Sequence, residues 1–328
     1  MIRFGIIGTN WITDRFLAGA ALHQQFKLSA VYSRTEERAR EFADKYVIPH
    51  TFTDMDAMFA SGEIDAVYIA SPNSLHAEYA IAAMNRGIHV LCEKPIASNS
   101  RELEGMIDAA QRNGVLLMEA LKSTLMPGFG AVREGIGRIG KVRRYFASFC
   151  QYSSRYDSYR AGTVMNAFRP EFSNGSLMDI GIYCLYPVVA LFGRPNSVKA
   201  SGYMLESGVD GEGSILMQYD EMDAVVLYSK ITSSSLPNEI HGEDGNLVID
   251  KISEPEVVQL QFRDGFVEDL TRPTVEFNMF YEVEEFIRLI QEGKTESEVN
   301  SHELSLIVME IMDEARKQIG LVYPADAQ

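Results

Sequence analysis

The side chains best suited to chemistry are a lysine, an aspartate and a tyrosine in two short motifs. Lys94 lies in the sequence C-E-K-P, and Asp179 and Tyr183 lie in D-I-G-I-Y. A neutral amine can take the proton of a hydroxyl group, and an ammonium can polarise a carbonyl and protonate the alkoxide that forms. A phenol can donate to the same oxygen, and a carboxylate on the same helix face can hold a second hydroxyl or the lysine itself. The three residues together suit the interconversion of an alcohol and a carbonyl.

Two of these residues also have a purely structural interpretation. Lys94 could form an ion pair with Glu93, and Tyr183 could be a core aromatic residue with a bonded hydroxyl. The sequence leaves open whether Lys94 or Tyr183 moves the proton.

The elements that carry the first motif alternate between strand and helix. Short apolar runs at residues 3–7, 27–32, 66–70, 89–92 and 115–119 are separated by segments with helical spacing. Alternation of this kind is typical of a doubly wound parallel sheet, so we expect an α/β Rossmann domain over residues 1–122. The loops at the carboxyl ends of its strands would line a ligand crevice, and Lys94 lies in one of them.

The second motif belongs to a region with a different pattern. Beyond residue 122, strand-like segments follow one another with Gly, Asp and Asn between them, and helices are expected at 176–192, 276–292 and 301–318. We predict that residues 123–328 form an α+β domain with a large, mostly antiparallel open sheet, and that substrate binds in a cleft between the two domains.

The first turn of the chain carries a diluted dinucleotide fingerprint. In G-I-I-G-T-N-W-I-T the fingerprint glycines would fall at positions 8, 10 and 13, and Gly8 alone matches. Asn tolerates left-handed backbone better than other non-glycine residues, so it could replace the second glycine. Because the turn follows a strand and opens a helix, we expect a nucleotide pyrophosphate to bind there. The alternative is a turn without a ligand. The expected contacts are Gly8, Thr9, Asn10, Trp11 and Ile12.

The end of the second strand indicates which nucleotide is preferred. Ser33 and Arg34 occupy the place where an NAD site usually has an acidic residue, and Arg38 follows one helical turn later. A carboxylate would repel a 2′-phosphate whereas a guanidinium pairs with it, so we predict NADP in preference to NAD. The alternative is that both arginines are surface charges paired with nearby glutamates.

Two further loops are expected at the nicotinamide end of the site. The first contains Ser71, Pro72, Asn73 and His76, and the second contains Glu93 and Lys94. Pro72 and Asn73 would shape the backbone under the nicotinamide ring, and His76 would either contact the cofactor or cap the following helix. Burial and the positive charge of an oxidised nicotinamide would both favour the neutral form of Lys94.

These motifs, taken in order, resemble those of the Gfo/Idh/MocA oxidoreductases, the family of glucose–fructose oxidoreductase and inositol dehydrogenase. E-K-P resembles the signature of that family, P-N-S-L-H resembles the loop that accompanies it, and D-I-G-I-Y resembles its D-x-G-x-Y/H helix. M-E-A at residues 118–120 and tyrosine at 183 are most similar to the dimeric dihydrodiol dehydrogenase type. Lys122 departs from that type, which tends to have an aromatic residue there, so the substrate cannot simply be transferred.

The resemblance implies an NAD(P)-dependent dehydrogenase that acts on a sugar, a polyol or a trans-dihydrodiol. It implies that Lys94, Asp179 and Tyr183 contact the reacting oxygen and that the open sheet forms a dimer. Polar and aromatic residues between 152 and 172, Arg160 among them, suit binding of a sugar or diol, although packing between domains is an equal alternative. Two alternative functions remain: a catalytically silent NAD(P)-binding regulator, and a transhydrogenating enzyme that keeps its cofactor bound.

Composition excludes several other classes of protein. The net charge of −16 disfavours binding to nucleic acid, and the apolar stretch 180–192 is too short to cross a membrane. Three dispersed cysteines, Cys92, Cys150 and Cys184, suggest buried thiols and neither a disulfide framework nor a metal site. The chain enters a strand pattern at once, without a signal peptide, and we expect a cytoplasmic protein.

Overall fold

The computed structural model describes residues 1–327, which fold into two compact units. The first unit comprises residues 1–121 together with 275–302. The second comprises residues 122–274 and, among the described residues, 303–327.

Residues 1–121 alternate between strands and helices as the sequence predicts. The strands are β1 (Ile2–Ile7), β2 (Phe26–Tyr32), β3 (His50–Phe52), β4 (Ala66–Ile69), β5 (His89–Glu93) and β6 (Leu117–Ala120). The helices are α1 (Trp11–Ala20), α2 (Glu36–Tyr46), α3 (Met55–Ala60), α4 (His76–Met84) and α5 (Ser100–Asn113).

Residues 122–274 form a strand-rich region with three α-helices. The helices are α6 (Pro127–Ile136), α7 (Ser154–Arg160) and α8 (Ile182–Phe192), and a π-helical turn (Leu177–Gly181) runs directly into α8. The strands are β7 (Val142–Cys150), β8 (Ser197–Met204), β9 (Asp210–Gln218), β10 (Asp223–Ser229), β11 (Asn238–Gly242), β12 (Gly245–Ile249), β13 (Val258–Phe262) and β14 (Val267–Asp269). Two helices, α9 (Phe280–Gln291) and α10 (His302–Ile319), follow.

Side-chain caps set where several helices of the first unit begin. The side chains of Thr35, Asp54 and Asn99 accept hydrogen bonds from the first-turn amides of α2, α3 and α5. At its other end α5 stops at Gly114, whose φ of 62° lies in the left-handed region that favours glycine. Local sequence therefore fixes these boundaries.

The sheet of the first unit is parallel throughout, in the order β3-β2-β1-β4-β5-β6. At its carboxyl edge Ile7 of β1 pairs with Tyr32 of β2 on one side and Ile69 of β4 on the other. The loops after these three strands, and the loop after β5 beside β4, therefore leave the sheet at one edge. Strand order reverses between β1 and β4, which is where ligands bind in open sheets of this kind. The predicted fold class of this domain is confirmed.

The sheet of the second unit has the order β14-β13-β12-β11-β7-β10-β9-β8. All neighbours are antiparallel except β7 and β10, which confirms a mostly antiparallel sheet. On one face Tyr145, Ile215 and Val226 are buried, whereas on the other Val225 is half-buried and Leu216 is 46% exposed. One face of the sheet is therefore covered and the other is open.

The return of residues 275–302 to the first unit corrects the predicted boundary, which placed all of 123–328 in one domain. Phe286 of α9 is fully buried, and its ring centroid lies 5.8 Å from that of Phe4 on β1. A Cβ at Gly19 of α1 would lie 2.7 Å from the main-chain nitrogen of Phe280, so α1 and α9 pack at close range. The apolar face of α9 supplies part of the first core, a long-range contact that the local sequence pattern does not encode.

Two other expectations need correction. The stretch Pro170–Phe192 is long and apolar enough to span a membrane by length and composition, although 72% of its most apolar window is buried inside the protein, as in the core helix of a globular unit. Cys92 and Cys184 are buried as expected, whereas Cys150 is only half-buried.

Replacement of Phe286 tests the assignment of α9 to the first core. We expect Phe286→Ala to lower the free energy of unfolding by about 3–5 kcal/mol, because it leaves a cavity among aromatic rings. Phe266→Ala is the matched control, since Phe266 is 59% exposed and its loss should change stability little. Denaturant titration measures both, and equal midpoints for the two variants would contradict the assignment.

Candidate functional site

The turn between β1 and α1 is a backbone cradle that tolerates glycine alone at its first position. Gly8 has a φ of +106°, and a Cβ there would lie 2.3 Å from the carbonyl oxygen of Ala70. The turn leads into the N-terminus of α1, whose first amides can bind a pyrophosphate. These residues fit a dinucleotide, because the backbone is closely packed from behind and no side chain stands at position 8.

Asn10 and Thr13 replace the missing fingerprint glycines by hydrogen bonding. Asn10 caps α1, since its side chain accepts from the Ile12 amide at 3.0 Å and donates to the Ala70 carbonyl at 2.8 Å. Its φ of −103° is extended, so the expected need for left-handed backbone at Asn10 is wrong. Thr13 is buried and donates to the Gly8 carbonyl at 2.7 Å. Trp11 is 55% exposed beside these residues.

Arg38 reaches the same turn from α2. Its guanidinium donates to the hydroxyl of Thr9 at 3.0 Å and to the Thr9 carbonyl at 2.5 Å, and also pairs with Glu41 at 2.6 Å. Arg34 is exposed at the end of β2, next to the half-buried Ser33. A positive charge is therefore anchored at the turn, while the ion pair with Glu41 matches the alternative interpretation in part.

His76 connects the loop after β4 to the loop after β5. The ring is buried, with Nδ1 2.9 Å from the Pro95 carbonyl oxygen and Nε2 3.0 Å from that of Ser71. Burial lowers the pKa of His76 to about 4, so the ring is neutral at pH 7 and donates to one of these carbonyls at a time. The ring thus joins two loops and does not cap α4, whose start has no side-chain cap, so the expected capping role is wrong. Pro72 and Asn73 are half-buried in the loop between Ser71 and His76.

The E-K-P loop is held by two buried carboxylates. Glu93 accepts from the Tyr68 hydroxyl at 2.6 Å and from the main-chain nitrogen of Lys94 at 3.2 Å. Glu119, in the M-E-A motif, accepts from the Ile96 amide at 3.0 Å. Lys94 itself is half-buried, at the carboxyl end of β5, and is followed by a cis peptide bond to Pro95. The supporting residues Tyr68 and Glu119 were not predicted as part of the site.

Cys92, directly before this loop, is an inert thiol. Burial raises its pKa well above the ordinary value, and the charges of Glu119 and Glu93 add to the effect. Its Sγ donates to the Ile96 carbonyl. The thiol therefore packs under the loop and supplies no nucleophile.

Asp179 and Tyr183 belong to the second unit and lie where the π-helical turn meets α8. The regular helix predicted from 176 is therefore wrong in its first turn, and π-turns of this kind are frequent at functional sites. Tyr183 is half-buried, with its ring centroid 5.8 Å from that of Phe149. One third of the Asp179 side chain is exposed (33%).

Two side chains, one at the start of β9 and one directly before the π-helical turn, fix the beginning of this helix. Asp210 is fully buried and accepts from the Leu177 amide at 2.7 Å, and Ser176 donates to the Gly211 carbonyl at 2.5 Å. Burial raises the pKa of Asp210 to about 6. Neither residue was predicted, because neither carries a recognisable motif.

The segment after β7 contains a short helix and a cluster of aromatic rings. Residues 154–160 form α7, and the rings of Tyr156, Tyr159 and Phe168 pack together with centroids 5.5–5.9 Å apart. Arg160 is exposed on α7, where a hydrogen bond to Tyr152 raises its pKa. Lys122, the residue that departs from the dihydrodiol type, is buried and donates to Glu254 at 2.5 Å.

Among residues 1–327 no group of three or more His, Cys, Asp or Glu side chains could hold a metal ion.

Comparison with known proteins agrees with these two units. Residues 2–121 match the model of an oxidoreductase family with an NAD-binding Rossmann fold, and residues 134–248 match the Gfo/Idh/MocA C-terminal domain. The chain is 60% identical over 326 residues to scyllo-inositol 2-dehydrogenase (NADP(+)) IolU of Bacillus subtilis, and the match covers 99% of each protein. It is 31% identical to trans-1,2-dihydrobenzene-1,2-diol dehydrogenase of Danio rerio, over 100% of this chain and 99% of that one.

Solved structures of lower identity share the fold. Aldose–aldose oxidoreductase of Caulobacter crescentus superposes with a TM-score of 0.85 at 21% identity, covering 97% of each chain. The 3-ketoreductase KijD10 of Actinomadura kijaniata gives a TM-score of 0.84 at 24% identity, over 97% of this chain and 98% of that one. On the combined grounds of family models and full-length identity, the chain belongs to the Gfo/Idh/MocA family of oxidoreductases.

Proposed function

We propose that the protein is an NADP-dependent dehydrogenase that interconverts a CH–OH group and a carbonyl on a cyclic polyol, sugar or trans-dihydrodiol. The proposal rests on the way the main chain around Lys94 is held at the carboxyl end of β5. Glu93 accepts from the main-chain nitrogen of Lys94, and His76 lies against the Pro95 carbonyl. The same unit contains the Gly8 cradle. A cyclitol is the first substrate to test, because the relative that is 60% identical is named for scyllo-inositol.

The nicotinamide, when bound, accepts or returns the hydride. The protein has to manage the proton, which leaves the substrate hydroxyl as the carbonyl forms. Neutral Lys94 accepts this proton in oxidation, and its ammonium donates it back in reduction. Tyr183 donates a hydrogen bond to the same oxygen and can pass the proton on, while Asp179 accepts from a neighbouring hydroxyl. Arg160 is assigned to the outer part of the substrate site.

The cofactor side of the proposal follows from the first unit. Gly8, Thr9, Asn10, Trp11 and Ile12 would hold the pyrophosphate at the N-terminus of α1. The ribose end would meet Ser33, Arg34 and Arg38, and the nicotinamide end would meet Ser71, Pro72, Asn73, Glu93 and Lys94. His76 joins the two loops at the nicotinamide end through the Ser71 and Pro95 carbonyls. The anchored guanidinium of Arg38 supports a preference for NADP over NAD, and the relative from Bacillus subtilis is named as an NADP(+) enzyme.

The remaining parts of the proposal concern location and assembly. A cytoplasmic protein agrees with three unpaired thiols. The open face of the second sheet carries the half-buried Val225 and the exposed Leu216, and we propose that it pairs with a second copy of this chain.

Turnover of a substrate panel tests the function directly. Purified protein with NADP should show a rise in nicotinamide absorbance with at least one of scyllo-inositol, myo-inositol, aldoses and trans-dihydrodiols. Lys94→Met should lower kcat about 10²- to 10⁴-fold, because it removes the general base and leaves the other proposed nucleotide contacts in place. Lys27→Met, an exposed lysine on β2, is the control.

Three outcomes of that experiment would redirect the proposal. Tight NADP binding without turnover by the wild type would favour the silent regulator. Nucleotide that survives purification and is reduced by one sugar and reoxidised by another would favour a transhydrogenating enzyme. An unchanged kcat in Lys94→Met would remove that lysine from the chemistry.

Replacement of the arginines tests the nucleotide preference. Arg34→Ala and Arg38→Ala should each weaken NADP binding, together by about 10- to 100-fold, and should leave NAD binding nearly unchanged, because NAD lacks the 2′-phosphate. Arg40→Ala is the matched control on α2, since Arg40 pairs with Glu36 on the surface. Equal losses for NADP and NAD, measured by fluorescence titration, would argue against recognition of the 2′-phosphate.

Solution mass tests the proposed dimer. Light scattering should give at least twice the mass of the chain, and Leu216→Glu should reduce it because a carboxylate would be buried between apolar faces. Leu22→Glu, at a similarly exposed leucine of the first unit (48%), should leave the mass unchanged. A monomeric wild type would refute this part of the proposal.

A further inference from the structure

Lys230, directly after β10, is a buried cation that no sequence motif marks. The residue is 4% exposed, and its side chain is 5% exposed. Lysine is almost never fully buried unless its charge is paired, so this ammonium requires an explanation within the second unit.

The ammonium is paired with Asp179. Nζ of Lys230 donates to Oδ2 of Asp179 at 2.5 Å and lies 5.3 Å from the ring centroid of Phe168. The ring face and the carboxylate together replace the water that the cation loses on burial. Because Asp179 remains one third exposed, Lys230 contacts this carboxylate from the buried side.

The backbone of Lys230 is tied to the start of the helix that carries Asp179. Its main-chain nitrogen donates to the Gly211 carbonyl at 2.9 Å and to the Ser176 hydroxyl at 3.2 Å. Ser176 is the residue directly before the π-helical turn. The main chain of Lys230 is therefore bonded directly to the start of the helix that carries Asp179, so the positions of the ammonium and the carboxylate are linked.

We propose that Lys230 is a positioning residue, which holds the Asp179 carboxylate in the one orientation that can accept a hydrogen bond from a substrate hydroxyl. The inference rests on the proposed function, because it assigns the hydroxyl-binding role to Asp179. The bond to Lys230 favours one rotamer of the Asp179 carboxylate, and another rotamer would present its oxygens differently to a ring of hydroxyl groups. Discrimination among cyclic polyols would then depend on a residue that does not touch the substrate.

A double-mutant cycle tests the proposal. Lys230→Met removes the charge and keeps most of the aliphatic stem, and Asp179→Asn removes the charge of the acceptor. Lys230→Met should lower kcat/KM for scyllo-inositol, or for the panel member that the wild type oxidises fastest, by about 10- to 100-fold, the value of a hydrogen bond between charged groups. The loss in Lys230→Met should be divided between kcat and KM in the same proportion as the loss in Asp179→Asn. The double variant should be no slower than Asp179→Asn alone.

Three further measurements separate positioning from folding. The Kd for NADPH should be that of the wild type in every variant, because the change lies in the second unit. Lys230→Gln, which keeps a donor, should recover part of the loss, and it carries the test if Lys230→Met does not fold. Lys141→Met is the matched control, since it breaks an exposed ion pair with Glu221 in the same unit and should leave kcat/KM unchanged.

The outcomes distinguish this inference from the proposed function. If the wild type oxidises no member of the panel, the proposed function fails and the role of Lys230 fails with it. If the wild type is active and Lys230→Met is equally active, the function stands and the positioning role is wrong. Losses that multiply in the double variant would also overturn it, because Lys230 would then act by a route other than Asp179.

Discussion

The structure depends most on the bonds that fix the backbone on both sides of Lys94. A lysine side chain is flexible, so the amine can be placed reproducibly only if its main chain is held. Glu93 binds the main-chain nitrogen of Lys94, and the Pro95 carbonyl lies against His76. Glu93 is fixed in turn by the hydroxyl of Tyr68, whose ring stacks on Phe16 of α1 at 3.7 Å. The helix that opens at the nucleotide cradle thus helps to orient the loop that carries the amine.

In the second unit, a different set of contacts holds the Asp179 carboxylate. Asp179 lies in a π-helical turn, whose start is bound by buried Asp210, and its carboxylate is paired with buried Lys230. Both arrangements place charged groups out of water, which is costly unless every group is paired. Such a cost is usual where geometry matters more than stability, and the exposed ion pairs on the surface of this protein would give no comparable control.

The sequence predicted the elements well and the supporting contacts poorly. The helix predicted at 301–318 is α10 (His302–Ile319) and the apolar run at 66–70 is β4 (Ala66–Ile69), because helical spacing and apolar runs are local features of the sequence. The positions of Lys94 and Tyr183 on their elements followed from motif and periodicity, whereas the π-helical turn that carries Asp179 did not. Lys230 is 51 residues from Asp179 in sequence. Asn300, which donates to the carbonyl of Glu119, is 181 residues from Glu119. The spacing of neighbouring residues does not encode pairs that are so far apart in sequence. The packing of α9 in the first core could not be predicted for the same reason.

The nucleotide turn shows why a diluted fingerprint need not weaken a site. Glycine is required at position 8 by its positive φ and by the nearby Ala70 carbonyl, whereas position 10 has extended backbone that any residue can adopt. Asn10 uses this freedom to bind that same carbonyl, and the next residue, Ser71, presents its own carbonyl to His76. Since His76 also meets Pro95, a continuous series of contacts joins the cradle to the residue after Lys94. The Gly8 turn and the loop that carries Lys94 are therefore linked, so the spacing between the proposed pyrophosphate site and the proposed proton-transfer group is set by contacts within the first unit.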